Sequence, residues 1–241
     1  MGTDTTNPTR GDWMDGHGDD LSDSEEKLNE AIDDLREGKP VVVYDFGDRE
    51  GEADLVYASE TVGNEDIARL RNEAGGLICT AIPSEAAEEF GLPFLSELVE
   101  EHDDGLVEKP EYGSRSSFSL WVNHRSNYTG VTDNDRSKTA RKLAEAVGAV
   151  ADGGEFDFAE EFSSPGHMAV LRADDELLDG RKGHTEMSVA LVGEAGLTPV
   201  ATISEMLDAE TGEALSRRDA EEYAETNGLV FLTGDEVVSL L

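Results

Sequence analysis

Apolar residues in this chain fall into short continuous runs separated by segments with helical spacing. Runs bounded by glycine, proline or charged residues predict buried strands at 41–46, 55–58, 77–82, 117–123, 167–172, 200–203 and 229–232. Apolar residues on one helical face predict helices from Ser22 or Asp23 to about 37, and at 65–73, 84–90, 133–150, 185–194 and 217–226. Residues 91–113 are acidic and predicted to be irregular. This alternation predicts an α+β (mixed α/β) fold: a three-layer single domain in which helices cover both faces of a mixed sheet.

The predicted domain covers residues 22–241. Residues 1–21 are polar and acidic, without apolar periodicity, and are predicted to form a flexible tail. There is no continuous apolar stretch of about 18 residues and no basic segment followed by an apolar one at the start, so we expect a cytoplasmic protein. The single cysteine, Cys79, excludes an intrachain disulfide and agrees with a reducing compartment.

Acidic residues far outnumber basic ones: the chain has 55 Asp and Glu against 19 Lys and Arg, and its formal net charge is −36. Such a surface repels nucleic acid and anionic membranes, and neither is expected as a partner. The apolar runs argue against a wholly disordered acidic chain. A carboxylate-rich, lysine-poor surface instead favours a protein adapted to a strongly saline cytoplasm, where salt screens its self-repulsion.

A first cluster of possible ligands follows the apolar run at 41–44. Five acidic residues lie within ten positions, and they share the segment with Arg49 and Gly51: Asp45, Asp48, Glu50, Glu52 and Asp54. This density of oxygen atoms suits Mg²⁺ or Mn²⁺. A solvated charged turn is the alternative interpretation of the segment alone.

A second cluster lies at residues 181–186, where a helix is predicted to begin. Free amides at a helix start, together with Arg181, Lys182 and the Thr185 hydroxyl, form a phosphate-binding pattern. The imidazole of His184 is a possible metal ligand, although an exposed loop histidine is the alternative. We expect the two clusters to form one split site that holds a divalent ion and a phosphate.

Three further positions carry possible chemistry. The segment 129–137 combines hydroxyls, Gly130 and Arg136 at another predicted helix start, which suits an anion or a simple helix cap. His167 precedes a strand, and Glu205 follows one at the sheet edge where layered folds bind ligands.

In order and spacing, these segments together resemble the 3,4-dihydroxy-2-butanone 4-phosphate synthase family, over residues 24 to 235. The matching motifs are Asp-Arg-Glu-Gly-Glu-Ala-Asp at 48–54, Gly-Gly-Leu-Ile-Cys at 75–79, Tyr-Thr-Gly-Val-Thr at 128–132 followed by Asp135 and Arg136, Ser-Pro-Gly-His at 164–167, Gly-His-Thr-Glu at 183–186, and Ala-Gly-Leu-Thr-Pro at 195–199 with Glu205 beyond. The resemblance implies a lyase that converts ribulose 5-phosphate to a four-carbon ketone phosphate and formate for riboflavin biosynthesis.

The resemblance also implies roles for individual residues. Glu50 and His184 would bind the metal, with Mg²⁺ as the usual ion and Mn²⁺ as the substitute. His167 and Glu205 would be catalytic. The residues implied in substrate binding are Arg49, Glu50, Asp54, Cys79, Thr132, Asp135, Arg136, Arg181, Lys182, Gly183, His184, Thr185 and Glu205. A sugar phosphate would be the small-molecule partner, and the family is homodimeric with its site near the subunit boundary.

Two features depart from the family pattern. Ala53 stands where many members have glycine, and Phe46 and Gly47 stand where the family has more acidic residues before the loop.

Larger relatives add a zinc-dependent cyclohydrolase domain, and a lone cysteine predicts the single-activity form. A non-catalytic phosphosugar-binding protein and a metal-dependent ketose-phosphate isomerase are the alternative functions, but binding alone would not demand His167 and Glu205.

Overall fold

The computed structural model describes residues 17–107 and 115–241. The strands are β1 Val41–Tyr44, β2 Ala53–Ala58, β3 Cys79–Ile82, β4 Phe118–His124, β5 Phe162–Arg172, β6 Ala201–Glu205 and β7 Phe231–Thr233. The helices are α1 His17–Arg36, α2 Asn64–Arg69, α3 Ser84–Glu89, α4 Leu95–His102, α5 Asp133–Ala151, α6 Phe158–Glu161, α7 His184–Glu194, α8 Arg217–Asn227 and α9 Gly234–Leu240. A π-helical turn, Leu70–Ala74, continues α2, and a 3₁₀ turn, Asp104–Leu106, follows α4.

The described strands form one mixed sheet with the order β4-β5-β3-β6-β2-β1-β7. Its pairs β1·β7 and β3·β5 are parallel, and the remaining pairs are antiparallel. Side chains of α2, α3, α5 and α8 pack on one face, and those of α1, α7 and α9 pack on the other. The predicted three-layer arrangement is therefore confirmed.

Both faces of the sheet are buried, which explains the continuous apolar runs. Val42 enters the core on one face, whereas its neighbours Val41 and Val43 enter the core on the other. Successive side chains of a strand point to opposite faces, so a strand covered on both sides needs apolar residues at consecutive positions.

Three helices were not expected: α4, α6 and α9. α4 lies within the acidic stretch predicted to be irregular, and that prediction is wrong for 95–102 because acidic residues on its solvent side conceal a short apolar repeat. α9 follows the last strand and begins with a capping box between Thr233 and Glu236, a Thr-x-x-Glu signal that the sequence did contain. In addition, α1 begins at His17, inside the segment predicted as a tail, and the rest of that segment lies outside the described residues.

The sheet places several predicted site residues at one edge. Asp54 at the second position of β2 pairs with Glu205 at the end of β6, and Cys79 at the start of β3 pairs with Ile203. Helix α7 packs against β3 and β6, so its first residue lies over this edge. Among the described residues, no helix has the length and apolar content needed to cross a bilayer.

The net charge of −36 predicts a strong dependence of stability on salt. Because screening weakens repulsion among the carboxylates, we expect the melting temperature to rise by at least about 5 °C between dilute buffer and molar KCl, roughly 2 kcal/mol for a domain of this size. Calorimetry in a KCl series measures this change. At about pH 4, where many carboxylates are neutral, the same series should give a smaller shift. A melting temperature independent of KCl at pH 7 would contradict adaptation to salt.

Candidate active site

The two charged segments, far apart in sequence, meet at the edge of the sheet. The ring of His184 lies between two carboxylates: Nδ1 is 3.6 Å from Oε2 of Glu50, and Nε2 is 3.7 Å from Oδ1 of Asp54. All three side chains are largely buried. An imidazole flanked by acidic groups on both ring nitrogens forms the centre of the site.

The buried carboxylate of Asp45 organises the loop between β1 and β2. Oδ1 accepts a hydrogen bond from the Glu52 amide at 3.0 Å, and Oδ2 accepts one from the Glu50 amide at 3.3 Å. Oδ2 also pairs with Nη1 of Arg49 at 3.0 Å, and the same guanidinium nitrogen is 2.7 Å from Oε2 of Glu50. The backbone turns at Gly51, whose φ of +69° favours glycine. Asp45 thus fixes the loop that carries Arg49, Glu50 and Glu52.

The other wall of the site is the beginning of α7. Gly183 is the N-cap, and its amide donates to Oε2 of Glu186 at 3.2 Å. A Cβ atom at Gly183 would lie 2.7 Å from Nη1 of Arg181 and 2.9 Å from Nη2 of Arg49. Only glycine therefore allows both guanidinium groups to approach this backbone closely.

A cavity of about 220 Å³ opens between these two walls. Of the residues predicted from sequence, seven line it: Glu50, Asp54, Cys79, Arg181, His184, Thr185 and Glu205. The lining also includes Glu52, which belongs to the predicted acidic cluster, and five residues without a predicted role: Ser116, Ser117, Phe118, Leu171 and Ile203. The lining is strongly acidic, and Arg181 is the single arginine among its described residues.

Burial and mutual repulsion among the carboxylates shift the protonation equilibria. Burial raises the pKa of Asp54 to about 7, even though His184 acts in the opposite direction. Burial lowers the pKa of His184, but the carboxylates of Asp54 and Glu50 outweigh it and raise this pKa to about 9. Burial and the nearby Glu50 also raise the pKa of Glu52. These carboxylates favour a positive charge among them, on a protonated imidazole or on a bound cation.

Three of these groups have the arrangement of a metal site. One ligand atom each from Asp45, Glu50 and His184 lie within 4.8 Å of one another. In addition, Nε2 of His184 and Oδ1 of Asp54 are buried and form no hydrogen bond. Oxygen atoms with one imidazole nitrogen suit Mg²⁺ or Mn²⁺. Asp45 belongs to the acidic cluster that the sequence offered as possible ligands, although the resemblance implied only Glu50 and His184 as metal ligands.

Glu205, the sheet partner of Asp54, and Cys79 also line the cavity. Oε2 of Glu205 accepts a hydrogen bond of 2.8 Å from the Leu77 amide, while a Cβ atom at Gly76 would lie 2.5 Å from the same oxygen. The π-helical turn is therefore followed by Gly75, whose φ of +88° favours glycine, and by Gly76, which admits the Glu205 side chain. Burial, reinforced by Glu205, raises the pKa of Cys79 well above its ordinary value, so this thiol stays neutral.

The other predicted residues lie outside the lining of this cavity. Arg49 pairs with Glu50 but does not line the cavity itself. Lys182 lines a separate cavity of about 740 Å³ beside α7. His167 is exposed on β5, where its amide donates to Oδ1 of Asn123 at 2.9 Å. Thr132 is the N-cap of α5, and Arg136 pairs with Asp133 at 3.1 Å.

Asp135 stabilises the loop before α5. Its carboxylate accepts hydrogen bonds from the amides of Thr129 at 3.1 Å and Gly130 at 2.9 Å, and amide bonds led by the one from Gly130 lower its pKa to about 2. Because the folded pKa lies below the unfolded one, this group stabilises the protein above about pH 4, and its contribution is lost as the pH falls towards 2.

We therefore expect Asp135→Asn to lower the melting temperature at pH 7, with a difference from wild type that shrinks as the pH approaches 2. Thermal unfolding followed by circular dichroism across this pH range measures the effect. Asp152→Asn, at the exposed C-terminal end of the same helix, is the control and should have little effect. A destabilisation by Asp135→Asn that is independent of pH would contradict the argument.

Several residues of the site had no usable signal in the sequence. Ser116 and Ser117 belong to a chain segment that only the pairing of β4 with β5 brings to the cavity. Glu186 was part of a recognised motif, but its role in binding Arg181, at 2.7 Å, depends on the fold of the loop.

Comparison with known proteins gives one consistent family. The family model for 3,4-dihydroxy-2-butanone 4-phosphate synthase matches residues 29–240. The chain is 48% identical to the protein of that name from Archaeoglobus fulgidus over 219 residues, covering 88% of this chain and 92% of the relative. It is 45% identical to the Methanosarcina mazei protein over 227 residues, covering 90% of this chain and 92% of the relative.

Solved structures agree with this result. A crystal structure of 3,4-dihydroxy-2-butanone 4-phosphate synthase in complex with two magnesium ions superposes with a TM-score of 0.72 at 28% identity, covering 88% of this chain and 94% of that one. The match of the family model, the identities to the archaeal relatives and the shared fold show that this chain belongs to the 3,4-dihydroxy-2-butanone 4-phosphate synthase family, which converts ribulose 5-phosphate in riboflavin biosynthesis.

Proposed function

We propose that this chain is a magnesium-dependent lyase that converts D-ribulose 5-phosphate to L-3,4-dihydroxy-2-butanone 4-phosphate and formate in the cytoplasm. The observation that carries the proposal is the placement of His184 between Glu50 and Asp54, at 3.6 and 3.7 Å, inside a cavity that also contains Arg181 and Glu205. Membership of the family and a relative crystallised with magnesium support the same assignment.

The donor atoms present fit a divalent cation. Glu50 and His184 would hold it, with Asp45 close enough to take part, and Oδ1 of Asp54 is a buried oxygen without a hydrogen bond. When bound, such an ion polarises a ketone and stabilises negative charge on neighbouring oxygen atoms. The imidazole must be neutral to act as a ligand, so binding of the ion releases the proton that the raised pKa of His184 retains near neutral pH.

The remaining acidic groups are suited to moving protons. The Leu77 amide fixes one oxygen of Glu205 at 2.8 Å, and the residue lines the cavity beside Asp54 and Glu52. The raised pKa values of Asp54 and Glu52 bring both carboxyls closer to neutral pH, where a group exchanges protons most effectively. We assign to Glu205 and His167 the proton transfers that the metal ligands cannot make.

The phosphate of the substrate would bind at the start of α7. Thr185 lies in the first turn of this helix and lines the cavity, as does Arg181. The guanidinium groups of Arg49 and Arg181 both approach Gly183, so two cations converge on the helix start. Amides at a helix N-terminus together with arginines form a favourable seat for a phosphate dianion. The roles of Thr132, Asp135, Arg136, Lys182 and Cys79 in substrate binding remain predictions.

A homodimer would explain the position of His167. Exposed apolar side chains occur on β4 and the loop that follows it: Tyr128 is 97% exposed, Val131 54% and Trp121 37%. Asn123 contacts both His167 and the Gly130 backbone, which joins this surface to the histidine. An exposed apolar patch of this kind is typical of a subunit interface. In a dimer, His167 of one subunit would complete the cavity of the other.

Release of formate tests the reaction directly. Purified protein in high-salt buffer with ribulose 5-phosphate and Mg²⁺ should release formate, and a chelator should stop the release. A ketose isomer without formate would identify an isomerase, and binding of the substrate without any product would identify a non-catalytic protein. Either of these two results would overturn the proposal.

Mixing two inactive variants tests the shared site. His167→Asn and Glu205→Gln, denatured and refolded together, should recover up to about a quarter of the wild-type activity, because half of the dimers would be hybrids with one intact site. No recovery, or a monomer by sedimentation, would contradict completion of the site by a second subunit.

A further inference from the structure

We propose that Glu186 is a positioning residue: its buried carboxylate holds Arg181 and the 174–183 loop in the geometry that receives the substrate phosphate. This inference rests on the proposed role of Arg181 in phosphate binding. Glu186 is the third residue of α7, and its side chain is 0% exposed. It lies outside the lining of the cavity, so it acts through other residues.

The Glu186 carboxylate forms hydrogen bonds with both ends of the 174–183 loop. Oε1 accepts a hydrogen bond of 3.0 Å from the Asp174 amide at the beginning of the loop. Oε2 accepts one of 3.2 Å from the Gly183 amide at its end. The same oxygen pairs with Nη1 of Arg181 at 2.7 Å. A single side chain therefore connects the loop backbone to Arg181, the one arginine that lines the cavity in the described part of the chain.

A purely structural role would be that of an ordinary helix cap, and the chain offers a direct comparison. Glu236 has the same position in α9, where Oε2 accepts the Thr233 amide at 2.8 Å. It also pairs with a cation, Lys27, at 3.0 Å. However, Glu236 is 17% exposed and Lys27 is 50% exposed, whereas Arg181 is 14% exposed and Glu186 is fully buried. A buried carboxylate is stable only with close polar partners, so Glu186 and Arg181 constrain each other far more than the surface pair does.

The contacts of Arg181 fix its orientation. Nη1 donates to Oγ of Ser117 at 2.6 Å as well as to Glu186, so both of its hydrogens are used. Nε is buried and has no hydrogen-bond partner among the residues that the structure describes. One side of the guanidinium is thus held by the protein, and the other retains donors for a ligand. Planar, immobilised guanidinium groups recognise phosphate with little loss of side-chain freedom.

The convergence of two arginines requires such restraint. Both guanidinium groups approach Gly183, and each is paired with a fully buried carboxylate: Arg181 with Glu186, and Arg49 with Asp45 at 3.0 Å. Without Glu186, repulsion from Arg49 would favour rotation of Arg181 away from the cavity. We therefore expect removal of the Glu186 carboxylate to weaken substrate binding and to leave turnover nearly unchanged.

The experiment compares Glu186→Gln with the matched control Glu236→Gln. In Glu186→Gln the amide NH₂ would face one of two backbone N–H donors and a buried Arg181 would lose its partner charge, whereas the side chain in Glu236→Gln could keep its oxygen on the Thr233 amide, so Glu186→Gln should lose more stability by thermal unfolding. Only Glu186→Gln should raise the KM for ribulose 5-phosphate and the inhibition constant of inorganic phosphate, each by about tenfold, the effect of releasing one immobilised side chain. The kcat at saturation should change by less than about threefold. Equal KM values for the two variants would overturn the proposal.

A double-mutant cycle identifies the route of the effect. In an Arg181→Met background, adding Glu186→Gln should change KM by less than about twofold, because the group through which Glu186 acts is gone. Effects that multiply would overturn the proposal. If Glu186→Gln does not fold, Ser117→Ala removes the other contact of Arg181 without altering the helix cap, and it should raise KM severalfold; an unchanged KM would count against the proposal.

These results are distinguishable from failure of the proposed function. If the wild-type protein releases no formate, phosphate binding can still be measured from the rise in melting temperature that inorganic phosphate produces. A weaker rise in Glu186→Gln than in Glu236→Gln would then support the positioning role while the lyase assignment fails. Formate release by the wild-type protein, with identical phosphate affinities in both variants, would support the lyase assignment and overturn the positioning role of Glu186.

Discussion

Replacing His184 with alanine should reduce formate release by at least about a thousandfold, because several kcal/mol of charge stabilisation would be lost with the metal site. The ring is the only imidazole in the described cluster, and it faces both Glu50 at 3.6 Å and Asp54 at 3.7 Å. Its removal leaves buried carboxylates without the group that compensates their charge. Formate production at saturating Mg²⁺ measures the effect.

Metal binding and folding must be separated in this experiment. Mg²⁺ should raise the melting temperature of the wild-type protein and should not raise that of His184→Ala. Glu50→Gln, which preserves the size of the side chain, should show the same loss. His102→Ala at the exposed end of α4 is the control and should keep full activity. If His184→Ala retains activity within about tenfold of wild type, the proposed metal centre is wrong.

Replacing Glu205 with glutamine should lower kcat by about 10²- to 10⁴-fold while KM and the stabilisation by Mg²⁺ change little. Glutamine keeps an oxygen that can accept the Leu77 amide, which bonds Glu205 at 2.8 Å, so the loop after the π-helical turn should stay in place. What is lost is a carboxylate that can take up and return a proton. Steady-state kinetics with ribulose 5-phosphate measures kcat and KM separately.

The exposed Glu210, in the turn after β6, provides the matched control. Glu210→Gln should have wild-type kinetics because its carboxylate lies outside the cavity lining. A kcat of Glu205→Gln close to that of this control would show that Glu205 only shapes the cavity. A large rise in KM with unchanged kcat would assign it to substrate binding instead.

Much of the fold could be predicted from the sequence because its patterns are local. Continuous apolar runs predicted the buried strands, since the sheet is covered on both faces, and helical repeats predicted the principal helices. α4 was missed because its apolar residues, such as Leu95 and Leu98, lie among many acids. The capping box of α9 was present in the sequence and was overlooked.

The site was predicted less completely. The charged loop and the start of α7 stood out because each concentrates ionisable residues at the end of an element, and these residues predicted one split site. The roles of individual residues came from the resemblance. The residue pattern did not show that Lys182 lines a different cavity or that Ser116 and Ser117 line this one. Nor did it show that Asp45 and Glu186 are buried carboxylates that fix the two arginines.

By itself, the sequence determined the class of fold, the acidic surface and the residue types available for chemistry, because these depend on composition and short-range spacing. Only the tertiary structure decided which of those residues meet. The distance of His184 from Asp54 depends on the pairing of β2 with β6 and on the packing of α7 against the sheet. The same packing buries the carboxylates and raises the pKa of Asp54, since desolvation is a property of the folded chain rather than of any segment.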